Sequence, residues 1–325
     1  MPVVVTGSIA TDHLMTFPGK FTEQFVEGQM ENVSLSFLVD DLVQHRGGAG
    51  ANMAYGLGLL GLAPVLVGAV GNDFADYDAW LTRHGVDTKS VHWSELKHTA
   101  RFVCTTDVAN NQIASFYSGA MSEAAGIEIA PVAARVGHLD LVVVGPNDPT
   151  AMVRHTEECR AFGVAFAADP SQQLAWADGE MIRGLVDGAD VLFTNEYEAA
   201  LLQQKTGWTA EQVLDRVGTW VTTRAAEGVL VRQSGAEPIS VIAVPETKPV
   251  EPTGGGDALR AGFIAGRVWG LDLERATQLG SAVATAAVEV VGTQEYDLPK
   301  GSFLTRFADA FGPDAADEVA SHLPG

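Results

Sequence analysis

The chain predicts an α/β protein: a doubly wound, mostly parallel sheet flanked by helices, with a small second β-sheet set into it. Three observations carry this. From Leu141 onward short, mostly β-branched runs alternate with helix-period segments, the same rhythm occurs near the start, and two stretches between them alternate polar and apolar residues instead. With 325 residues, 46% hydrophobic and 19% charged, the chain has core enough for one large domain carrying an insertion.

In order, the chain opens on the strand-like run Val3–Thr6, with no basic leader before it and polar Asp12 and His13 soon after it. Residues 50–60 follow as a helix and 65–69 as a strand. Residues 33–43 and 100–117 have the alternation of half-buried strands, and Asn110-Asn111 supplies turn chemistry between the two halves of the second stretch. These are expected to pair as a separate small sheet. Next come a strand at 141–144, a helix at 150–162, a strand at 164–169, a helix at 179–185, a strand at 191–194 and a helix at 196–204. Such a succession implies parallel strands joined by crossover helices. From Gly254 the pattern is helical, with candidate helices at 261–269, 273–290 and 303–323.

Twenty Lys and Arg against 41 Asp and Glu give a net charge of −21, which argues against a nucleic-acid partner bound by a broad electrostatic footprint. A small phosphate compound remains open, because backbone amides and a helix start can hold one. Two cysteines, Cys104 and Cys159, suggest neither a disulfide framework nor a zinc site and fit a reducing, cytoplasmic compartment. No apolar run is long enough to span a membrane. The eight histidines show no metal-type pairing and read as surface or structural. Gly56-Leu57-Gly58-Leu59-Leu60-Gly61 fits a dinucleotide fingerprint but ends a helix pattern, so it reads as a close-packed helix terminus.

The strongest signal is Gly254-Gly255-Gly256-Asp257, three glycines running straight into a helix. Successive unhindered N–H groups at the positive end of the dipole make an anion hole, and a carboxylate beside such a hole incurs repulsion unless its charge has a task. At a helix start the Asp257 pKa is expected to be depressed. Taken alone, a glycine triplet before a helix is as well explained by a turn whose Asp257 is an N-terminal cap.

Residues 251–263 resemble the second signature of the ribokinase-like, PfkB-type carbohydrate and nucleoside kinases. Arg46-Gly47-Gly48-Ala49-Gly50-Ala51-Asn52 resembles the first signature, Asn195-Glu196-Tyr197-Glu198 the Asn-x-x-Glu motif, and residues 221–228 the nucleotide loop. Within the family the segments 6–14, 35–41 and 167–174 are similar to bacterial adenosine kinases. The resemblance implies one ribokinase-like domain over 1–325, with a β-sheet lid built from about 13–45 and 97–119. It implies ATP-dependent phosphorylation of the adenosine 5′-hydroxyl to AMP, a purine-salvage reaction. Asp257 would take the hydroxyl proton, and Gly254, Gly255 and Gly256 would stabilise the moving phosphoryl group. Ser8, Asp12, Ser36, Gly48, Asn52, Gln172 and Gln173 would line the nucleoside site, with Phe102 and Phe116 stacking on the purine. Asn195, Thr223, Gly228 and Gly256 would bind ATP, and Glu198 would hold Mg²⁺ through water. A monovalent cation (K⁺) and a homodimer formed through the lid are further implications. Glu251, Pro252 and Ala225 depart from the family pattern, standing where Asp, Thr and Gly are usual. Two alternatives stay open: a sugar or other nucleoside kinase on the same scaffold, and a nucleoside-binding regulator whose nucleotide loop has decayed.

Overall fold

The computed structural model describes residues 2–25 and 34–325. The first part of the chain contains β1 (Val3–Thr6), β2 (Ala10–Phe17), β3 (Asp41–Gly47), α1 (Ala49–Leu59), β4 (Val65–Val67), β5 (Ala69–Val70) and α2 (Ala75–Arg83). The middle contains β6 (His92–Trp93), β7 (Ala100–Asp107), β8 (Gln112–Tyr117), α3 (Ile129–Val136), β9 (Leu141–Val144), α4 (Pro149–Phe162), β10 (Phe166–Ala168), α5 (Gln173–Trp176) and α6 (Gly179–Val186). The remainder runs β11 (Val191–Asn195), α7 (Glu196–Thr206), α8 (Ala210–Leu214), β12 (Thr219–Thr223), β13 (Val229–Arg232), β14 (Ile239–Val241), α9 (Gly255–Val268), α10 (Leu273–Val288), α11 (Lys300–Phe311) and α12 (Pro313–Ala320).

Eight strands form one sheet in the order β14-β13-β12-β11-β10-β9-β1-β4. It is parallel from β4 to β12 and antiparallel at β13 and β14. The runs are apolar on both faces because both faces are covered. Val3 and Val5 pack with α1, α9 and α10, whereas Val4, Val142 and Val144 pack with α4, α6 and α7. Local chemistry sets the helix ends. Asp148 caps α4 by accepting from Thr150 N at 2.9 Å, with Pro149 at the first helical position and Gly163 closing the helix in the left-handed region.

A four-stranded sheet, β3-β2-β7-β8, projects from this body. The expected strand at 33–43 is observed instead as β3, which starts at Asp41, and Val33 together with residues 26–32 lies outside the described residues. The alternation over 34–40 has another cause: Phe37 packs on Phe17 and Phe21 at centroid distances of 4.8 and 5.3 Å, without pairing a backbone ladder. β2, the inner strand of this sheet, was not among the expected strands, since Asp12 and His13 interrupt its apolar pattern. The strand expected at 65–69 divides at Gly68 into β4 and β5. The last expected helix is two, divided at Gly312, whose φ is 93° and which Pro313 follows.

Gly58 in α1 explains the false fingerprint: a Cβ there would lie 2.0 Å from the carbonyl oxygen of His84. The glycine serves close packing. Gly58→Ala is therefore expected to cost roughly 1–3 kcal/mol as backbone is pushed aside, read as a lower Tm in thermal unfolding. An unchanged Tm would contradict this approach of α1 to the turn after α2.

Candidate active site

Gly254, with a φ of 83°, turns the chain into α9, and the space a side chain would need is filled by Thr293, whose Cβ would be 2.9 Å from an added Cβ. Of the three expected glycine donors, Gly255 is already engaged, its amide donating to Pro252 O at 3.3 Å. Among the described residues the amides of Gly256 and of Asp257 beside it have no acceptor, at the positive end of a fourteen-residue helix.

Asp257 sits in this first turn, half-buried, and its Oδ2 accepts from Asn52 Nδ2 at 2.9 Å. Its pKa is raised, not depressed as the helix start alone suggests. Burial raises it, the Arg260 cation and the Asn52 hydrogen bond pull it back, and Glu198 pushes it up again. A carboxylate so placed is a better proton acceptor than an exposed one.

On one side of the turn lies a cavity of about 660 Å³ lined by Asn195, Thr223, Gly228, Gly255 and Gly256. The ATP residues inferred from sequence thus share one chamber. Asn195 caps α7 by accepting from Glu198 N at 2.8 Å, and Glu198 Oε2 returns the bond from Asn195 N at 2.7 Å. Oε1 of Glu198 makes no hydrogen bond within the described structure and is open to a hydrated cation. Among the described residues no three His, Cys, Asp or Glu side chains are grouped to hold a metal ion. This donor set fits a divalent ion carried by phosphates and water, with Glu198 as an acidic neighbour; Glu196, Glu246 and Glu251 line the cavity. Ala225 adopts a φ of 47°, so the loop keeps the left-handed turn that glycine would take there. Glu251 is engaged by Gly292 N at 3.2 Å, in the turn that the resemblance associates with a monovalent cation.

On the other side, His45, Asp12, Phe102 and Phe116 stand in register across β3, β2, β7 and β8, which puts them on one face of the small sheet. The Asp12 carboxylate lies over Gly47, where an added Cβ would be 2.9 Å from Oδ2, and its pKa is raised by burial against the pull of His45. Gly48, with a φ of 94°, joins this strand to α1. Asp12, Gly48, Asn52 and Asp257 are thereby brought together.

The remaining nucleoside residues are engaged locally. Ser8 Oγ accepts from Ala49 N at 3.0 Å and braces the start of α1. Gln173 donates to Asn147 O at 3.0 Å, and Gln172 accepts from Ser171 Oγ at 2.9 Å. Ser36 is exposed in an irregular stretch. Among the described residues none of these side chains is hydrogen-bonded to Asp12, Gly48, Asn52 or Asp257.

Two groups were absent from the sequence reading. Arg260, 7% exposed, pairs with Asp169, 1% exposed, at 2.7 Å directly beneath Gly256. Burial pushes the Asp169 carboxyl up to about 6 in spite of the cation. A charged residue between Leu259 and Ala261 on a buried helix face was the available signal. Gln294 Nε2 donates to Asn52 Oδ1 at 2.9 Å, Thr293 Oγ1 lies 2.8 Å from the same oxygen and 2.9 Å from Arg46 O, and nothing in their local sequence marks them.

The comparisons agree with this geometry. The chain is 32% identical over 272 residues to a nucleoside kinase of Methanothermobacter thermautotrophicus, covering 82% of this chain and 85% of that one. A nucleoside kinase of Burkholderia thailandensis, solved in complex with inosine, superposes with a TM-score of 0.82 at 33% identity, covering 96% of this chain and 98% of that one. The Methanocaldococcus jannaschii nucleoside kinase, an archaeal member of the ribokinase family, superposes with a TM-score of 0.84 at 25% identity, covering 95% and 98%. The model of the pfkB family of carbohydrate kinases matches residues 7–301, a span that includes the Gly48 turn, the Asn195 cap and the Asp257 helix start, so the chain belongs to that family and is a kinase of ribokinase-like fold.

Proposed function

We propose that this kinase transfers the γ-phosphoryl group of ATP to the 5′-hydroxyl of adenosine, giving AMP and ADP. The observation that carries the reading is the position of Asp257, at a helix start between the cavity and the Asp12–Asn52 group. A phosphoryl donor on one side and a hydroxyl on the other meet at a carboxylate and two free amides. Asp257 receives the hydroxyl proton as the O–P bond forms, and ADP leaves toward the cavity. In a loose transition state that proton leaves late, so holding the hydroxyl in line counts for more than basicity. The amides of Gly256 and Asp257 receive the charge on the transferring group. Mg²⁺, brought by ATP and held through water by Glu198, supplies charge neutralisation when bound. Asp12 and Asn52 grip the ribose hydroxyls. No step is routed through a monovalent cation.

Phe102 and Phe116 support a flat base over a bare sugar as the acceptor. Phe116 is 55% exposed on the face shared with Asp12, where an aromatic ring has little to gain from water. Phe116→Ala is expected to raise KM for the nucleoside roughly tenfold, as loss of a base stack does, with kcat little changed. An unaltered KM removes the stacking assignment. The inosine bound by the Burkholderia kinase favours a second reading, acceptance of purine nucleosides generally.

In the same reading the four-stranded sheet is a lid, and two copies pair through it, since its edge strands expose Leu42, Val43 and Ile113. The enzyme works in the cytoplasm, consistent with two free, buried cysteines. Nucleotide products are to be measured from Mg-ATP with adenosine, inosine, guanosine, ribose or fructose as acceptor. Adenosine turnover with the highest kcat/KM supports the reading, and preference for a sugar overturns it. Adenosine binding without ATP consumption moves the assignment to a regulator, an outcome that the intact turn at Ala225 argues against.

A further inference from the structure

Gln294 is fully buried, 0% exposed, and does not line the cavity. Its side-chain amide gives both hydrogens away: one to Asn52 Oδ1 at 2.9 Å, the other to the hydroxyl of Tyr77. Tyr77 donates onward to Gly47 O at 2.9 Å, at the end of the lid strand β3. A single chain of donors and acceptors therefore runs from Gly47, next to Gly48, through Tyr77, Gln294 and Asn52 to Asp257.

The direction of that chain is fixed. Because Tyr77 donates to Gly47 O, its oxygen accepts from Gln294 Nε2, whose other hydrogen is on Asn52 Oδ1, so the Asn52 amide must present its NH₂ to Asp257. The one hydrogen of Thr293 Oγ1 lies between Asn52 Oδ1 and Arg46 O. One of those hydrogens is on Asp257, and the other remains for an acceptor oxygen. Gln294 Oε1, meanwhile, is buried without a partner among the described residues. Leaving a buried carbonyl unpaired costs stability, and an apolar side chain of similar shape incurs no such cost. Packing alone does not explain an amide here, whereas its two donor contacts do.

We propose that Gln294 is a positioning residue for Asp257, acting through Asn52. The inference rests on the reading of Asp257 as the proton acceptor. Gln294 neither touches substrate nor moves a proton; it holds the Asn52 amide in the orientation that donates to the Asp257 carboxylate, and it ties that orientation to the base of the lid strand.

The test is a double-mutant cycle on phosphoryl transfer, with Gln294→Leu, Asn52→Ala and the double variant assayed beside wild type and Asp257→Asn. Gln294→Leu is expected to lower kcat roughly tenfold, with KM for both substrates changed less than about twofold and Tm held or raised. In the Asn52→Ala background it is expected to have no further effect, because the group it orients is gone. Multiplicative losses in the double variant, or a wild-type kcat for Gln294→Leu, overturn the proposal. Should Gln294→Leu not fold, Tyr77→Phe, which keeps the ring and removes only the hydroxyl, is run in both backgrounds against the same criterion. An active Asp257→Asn variant would instead remove the underlying reading of the base, an outcome separate from failure of the relay.

Discussion

Asp257→Asn is expected to lower kcat by roughly 10²- to 10⁴-fold, the range of a lost general base, while KM for ATP and nucleoside moves little. The substitution is nearly isosteric. Its Oδ1 still accepts from Asn52 Nδ2, and the amides at the start of α9 are untouched. What it removes is the negative charge that, in the proposed reaction, draws the hydroxyl proton. Stability is expected to hold or rise. The folded-state pKa of Asp257 lies above the ordinary value of 3.8, so the folded protein binds this proton more tightly than the unfolded chain does. Stability therefore falls as pH rises through that window, and above it the ionised carboxylate is a net cost that asparagine lacks. A loss of kcat below tenfold, or a loss accompanied by a lower Tm, would count against Asp257 as the base.

The same carboxylate is expected to govern the acid side of the wild-type pH–rate profile. Burial raises its pKa, and the protonated form cannot accept the hydroxyl proton, so kcat is expected to rise with pH and to reach its half-maximum above the ordinary carboxylate value. A kcat that stays flat down to pH 4 would contradict a catalytic Asp257.

The parallel body of the fold was legible because its strands are buried on both faces. Residues 191–193 and Leu141–Val144 are apolar whichever way their side chains point, and helix-period segments separate them. The helix start at Asp257 was legible for a similar reason: three glycines before a helix are a local event with a local meaning. The small sheet was legible only in part. β2 carries Asp12 toward the site, so its sequence lacks the clean alternation of a structural strand, and residues 34–40 have that alternation because Phe37 fills a local cluster. The supporting residues were not legible. Arg260 and Asp169 are 91 positions apart, and Gln294 and Asn52 are 242 apart. Their roles exist only once α1, α9 and the segment after α10 have packed, and no window of sequence contains that approach. Sequence shows a residue's chemistry, whereas the partner that gives the chemistry a task is supplied by tertiary structure.

Arg260→Met is expected to destabilise the protein by roughly 3–5 kcal/mol, the usual cost of stripping one partner from a buried ion pair. Methionine fills much of the volume left by the arginine stem, so the effect isolates the charge. Asp169, at 1% exposure, would be left without its cation, and its Oδ2 already lacks a partner in the intact pair. The dependence on pH follows from the sign of the shift. With Arg260 present, burial already holds the Asp169 pKa up at about 6, above the ordinary 3.8, so the ionised form is a cost carried in full above about pH 6. Removing the cation takes away the influence that lowers this pKa and moves it further up. At pH 5 the variant's Asp169 is protonated and neutral; at pH 8 it must either ionise unpaired or hold its proton against solvent. The deficit is therefore expected to be larger at pH 8 than at pH 5 in urea unfolding, and Arg260→Met combined with Asp169→Asn is expected to recover most of it. A loss that is independent of pH, or one that the second substitution deepens, would mean that Arg260 stabilises α9 by packing on Phe193, over whose ring its guanidinium lies at 5.6 Å, and not by neutralising Asp169.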